Sequence, residues 1–176
     1  MFGMMGTMGL ITVLWILPAP FVIIYVLAEL QGQRSGKRAP MLGTRALLGL
    51  FATASAQLVL AGLALVVAYL LDDGVGKPMM KNGVGLLLGG VLSGVLPAFF
   101  IKTRCRLDGP EGLWNKALGI NAAVAGSVFV GLLTAACVAL VNDDKVGAQL
   151  GAMVIYLGGS VGTLLLLTKR SPSPSK

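Results

Sequence analysis

Apolar residues in this chain come in five long runs, not in the one-sided stripes of amphipathic helices. No Asp, Glu, Lys or Arg falls within about 8–28, 46–71, 82–101, 117–142 or 146–168. Each run holds about 20 residues or more, enough at 1.5 Å per residue to cross a hydrocarbon layer roughly 30 Å thick. Every backbone polar group inside lipid needs a partner, so a spanning segment is either a helix or a strand of a closed barrel. Barrel strands alternate polar and apolar residues over about ten positions, and these runs do not. The pattern therefore predicts an all-α integral membrane protein with five transmembrane helices in a single domain, residues 1–170. The remaining segment, 171–176, reads Ser-Pro-Ser-Pro-Ser-Lys. Without an apolar side chain beyond its prolines, it is expected to be a disordered cytoplasmic tail.

The first run does not read as a cleaved signal peptide. No Lys or Arg precedes it, it is longer than a typical signal core, and no small-x-small cleavage site follows it. Gln31-Gly-Gln-Arg34 reads as the exit of that helix into basic solvent.

The charges between the runs set an orientation. Eleven Lys and Arg fall in the first and third loops and the C-terminal tail, against three in the second and fourth loops. Cytoplasmic loops carry the excess of basic residues, so the N-terminus is placed outside and the C-terminus in the cytoplasm. Trp15, Tyr25, Tyr69 and Trp114 are the candidate interfacial anchors.

Composition agrees. The chain has 176 residues, 56% hydrophobic and 12% charged, where a soluble domain carries about 25% charged residues. The net charge of +7 is accounted for by topology, and no nucleic-acid partner is expected. There is no histidine, which removes the commonest ligand for haem iron and transition metals. Cys105 falls in a basic loop and Cys137 near the opposite face, so no intramolecular disulfide is expected. The Ala/Gly/Leu/Val bias suits a bacterial inner (plasma) membrane.

The second and fourth runs resemble each other at an offset of 71. Ala46, Leu47, Ala52, Ala54, Val59, Ala64, Val67 and Ala68 recur as Ala117, Leu118, Ala123, Ala125, Val130, Ala135, Val138 and Ala139. Asp72-Asp73 and Val75-Gly76 recur as Asp143-Asp144 and Val146-Gly147. These are 12 identities over the 32 positions from Arg45 to Gly76. The third and fifth runs match less well, best at Gly89-Gly90 and Gly158-Gly159. The reading is a tandem repeat of a two-helix hairpin, helices 2–3 and 4–5, plus one N-terminal helix.

Small residues recur at a spacing of four: Gly90 and Gly94, then Ser127, Gly131, Ala135 and Ala139, then Gly158 and Gly162. Such seams let helix backbones approach closely where lipid offers no hydrophobic drive. They hold a monomer together or seat a partner. Asp72, Asp73, Asp143 and Asp144 end two outward-running helices, where the macrodipole disfavours anions. They could gather into an outer cation site of hard oxygen ligands. The simpler reading is that aspartate stops each helix at the water interface. Arg34, Lys37 and Arg38 could contact anionic lipid or a partner chain, or only fix topology.

No charged residue lies midway through any run, which argues against a proton-driven carrier or voltage sensor. Gln57 is the one strongly polar side chain near a midpoint, and a local hydrogen bond accounts for it. Asn121 and Gln149 are placed near run ends, close to water. Pro18, Pro20 and Pro97 each remove a backbone bond, to Leu14, Ile16 and Ser93, and predict kinks. No Ser/His/Asp, Cys/His or phosphate-cradling set is present. The expectation is a non-catalytic membrane subunit or scaffold, without cofactor, packed against other membrane chains or copies of itself. The alternative is a small homo-oligomeric channel or transporter with an acidic outer mouth.

Overall fold

The computed structural model describes residues 18–36, 41–71, 77–103, 112–142 and 146–170. These form five α-helices, and no strand occurs among the described residues: α1 Pro18–Ser35, α2 Leu42–Leu71, α3 Lys77–Thr103, α4 Leu113–Val141 and α5 Gly147–Arg170. Four of them, α2 to α5, are long and apolar enough to cross a membrane. At 1.5 Å per residue, the 30 residues of α2 reach about 45 Å, which covers the hydrocarbon layer and both interfaces. The first run, expected at 8–28, falls partly on 8–17, outside the described residues, as do Trp15 and the carbonyls opposite Pro18 and Pro20.

Most helices run past the charge-free runs that announced them. Charge marks the edge of hydrocarbon, while a helix ends only where the backbone is turned. The clearest case is α1, which continues seven residues beyond Ala28, so the expected exit at Gln31–Arg34 is helical instead. Glu, Gln and Arg are good helix formers. The turn comes at Gly36, in the left-handed conformation at φ 65°, as befits a glycine after a helix C-terminus. The Ser35 hydroxyl donates back to the Gln31 carbonyl at 2.8 Å. Pro97 lies inside α3, which stays helical across it.

α2 and α4 begin alike. Met41 and Gly112, 71 positions apart, both have φ 59°. Each precedes a helix whose first residue, Leu42 or Leu113, is buried. The Arg45 amide donates to the Met41 carbonyl at 2.9 Å, and the Lys116 amide to the Gly112 carbonyl at 3.2 Å.

Two compact units divide the chain, one drawn from Met1–Val59 and Leu88–Ala117, the other from Leu60–Leu87 and Leu118–Lys176. In the first, a buried cluster joins Leu42 and Leu48 of α2 to Leu113 of α4. Ile24 and Ala28 of α1, Ile101 of α3 and Trp114 pack around it. The C-terminal parts of α1 and α3 and the N-terminal parts of α2 and α4 thus share one end of that unit. In the second, Ala64 of α2, Ala125 of α4 and Tyr156 of α5 form the core, with Leu60, Phe129 and Ile155 against it. The first core is built of large residues, while the second relies on alanine as well, which lets helices approach closely.

Candidate functional site

The chemistry-bearing side chains are few, so the geometry of interest is helix contact. Within the first unit, α2 and α3 run antiparallel in close approach. A methyl added at Gly90 would sit 2.9 Å from the Val59 amide nitrogen and 3.0 Å from Leu58 Cβ. One at Gly94 would meet Ser55 Cβ at 3.4 Å. Beside them, the Ser93 hydroxyl donates to the Gly90 carbonyl at 3.1 Å. Its one proton is then spent, so in the 3.0 Å contact with Ser55 the Ser55 hydroxyl is the donor. Gly49 gives α2 a flat surface against α1, where a methyl would stand 3.0 Å from the Phe21 ring.

Within the second unit the approach is closer still. A methyl at Gly62 would lie 2.7 Å from both the Gly83 carbonyl oxygen and the Leu87 amide nitrogen. On α5, Gly147, Gly151 and Gly159 form a stripe facing α2. Methyls there would stand 2.8 Å from the Leu71 carbonyl oxygen, 2.7 Å from Leu71 Cδ1 and 2.8 Å from the Leu60 methyls. The Ser160 hydroxyl donates across to the Ala122 carbonyl of α4 at 3.3 Å.

Of the small residues singled out by spacing, Gly90 and Gly94 thus lie against α2. Ala139 is also buried, but the others do not meet a neighbour. Gly131, Gly158 and Gly162 have open space where a side chain would project, and Ser127 and Ala135 are exposed on α4. Ser127 donates to the Ala123 carbonyl one turn back. Sequence spacing missed Gly62, Gly147, Gly151 and Gly159, which make the closest contacts. Gly151 follows Gly147 by four, and that was the available signal.

Polar interior groups lie mostly on α2. Thr53, Ser55 and Gln57 are buried, as is Asn121 on α4. Gln57 and Asn121 each have an interaction partner in the fold. Asn121, placed near water by its position in the run, is instead 7% exposed. Gln149 Oε1 is enclosed without a hydrogen-bond donor.

The four aspartates Asp72, Asp73, Asp143 and Asp144 lie outside the described residues, as do Lys37, Arg38, Cys105 and the tail. Arg34 is exposed in the last turn of α1, and Cys137 is exposed on α4. Among the described residues no group of three or more His, Cys, Asp or Glu comes together.

The architecture is that of a multi-helix integral membrane protein built around close glycine contacts on α2. Comparison with known protein families, with curated proteins and with solved structures finds no match.

Proposed function

We propose that this protein is a non-catalytic membrane subunit or scaffold that packs against other membrane chains in a larger complex. The observation that supports it is the uncovered small-residue surface. Gly85 and Gly89 on α3, Gly131 on α4, and Gly158 and Gly162 on α5 all have open space at the missing side chain. A glycine inside a helix costs about 1 kcal/mol relative to alanine. A face that meets only lipid has no use for that cost, whereas a face that meets another helix backbone does. The loop charges support an N-out, C-in orientation, and the Ala/Gly/Leu/Val bias suits a bacterial inner membrane.

Native mass spectrometry of the protein extracted gently from its own membrane tests the proposal. A fixed stoichiometry with other chains is the expected result. A lone monomer that is functionally competent in liposomes would overturn it.

A second reading is a small homo-oligomeric channel or transporter built on a duplicated hairpin. It is favoured by the matched starts of α2 and α4, with their equal φ angles and equivalent backbone bonds 71 positions apart. Asp72, Asp73, Asp143 and Asp144 would then form its outer acidic mouth. Tracer flux in liposomes that is unaffected by Asp72→Asn with Asp143→Asn would remove the cation-site part.

A further inference from the structure

We draw no further inference here: the strongest candidate, the uncovered face of α5 on which Gly158 and Gly162 have open space beside the exposed Val154, Leu157, Val161 and Leu165, belongs to the small-residue surface already described, and nothing in the structure shows what covers it.

Discussion

Adjacent glycines on α3 should respond to the same substitution with opposite sign. Gly89 has open space around the position of a side chain, whereas a methyl at Gly90 would lie 2.9 Å from the Val59 nitrogen and Cγ2 and 3.0 Å from Leu58 Cβ. Ordinary contacts of this kind start near 3.4 Å, so the shortfall at Gly90 is 3.4 − 2.9 = 0.5 Å. The obstructing nitrogen belongs to the backbone of α2 and cannot rotate away, so α3 must shift. Overpacking of this kind costs roughly 1–3 kcal/mol, set against the roughly 1 kcal/mol that alanine gains over glycine in a helix. Gly90→Ala should therefore destabilise by up to about 2 kcal/mol, and Gly89→Ala should stabilise by up to about 1 kcal/mol. The assay is reversible unfolding in mixed micelles with increasing sodium dodecyl sulfate, followed by circular dichroism. Equal shifts for the two variants, or a loss confined to Gly89→Ala, would refute the packing register of α2 against α3.

Three other outcomes follow from the same geometry. Met41 adopts φ 59° where its counterpart is Gly112; a left-handed L-residue costs roughly 1–2 kcal/mol, so Met41→Gly should raise stability slightly and Gly112→Ala should lower it by about 1 kcal/mol in the same titration. The bond between Ser55 and Ser93, at 3.0 Å, should give a coupling of about 0.6 kcal/mol in a double-mutant cycle to alanine, and a coupling of zero would dismiss it. In a background with both Cys105→Ser and Cys137→Ser, an impermeant maleimide added to intact cells should label Lys81→Cys and spare Ser35→Cys, and the reverse pattern would invert the proposed orientation.

The four long apolar helices α2 to α5 were legible because about twenty residues without charge leave a chain few alternatives. Helix ends were not, since α1 runs through Glu29 and Arg34 to Ser35, where solvent tolerates those side chains and only Gly36 turns the chain. The same distinction governs packing. A spacing of four shows that a seam exists, but not which of two neighbouring glycines points into it. Gly89 and Gly90, or Gly158 and Gly159, differ by about 100° around the helix, and either member continues a four-residue pattern. That phase is set by the partner helix, here α2, whose Val59 and Leu60 meet Gly90 and Gly159 and leave Gly89 and Gly158 open. Asn121 shows the same effect in a polar residue: its distance from the run's end suggested water, and the helices packed around it exclude water. What a partner imposes on a residue is invisible in that residue's own segment. The open glycines on α3, α4 and α5 are unexplained within the chain for the same reason, and a further chain is the natural place to look for their complement.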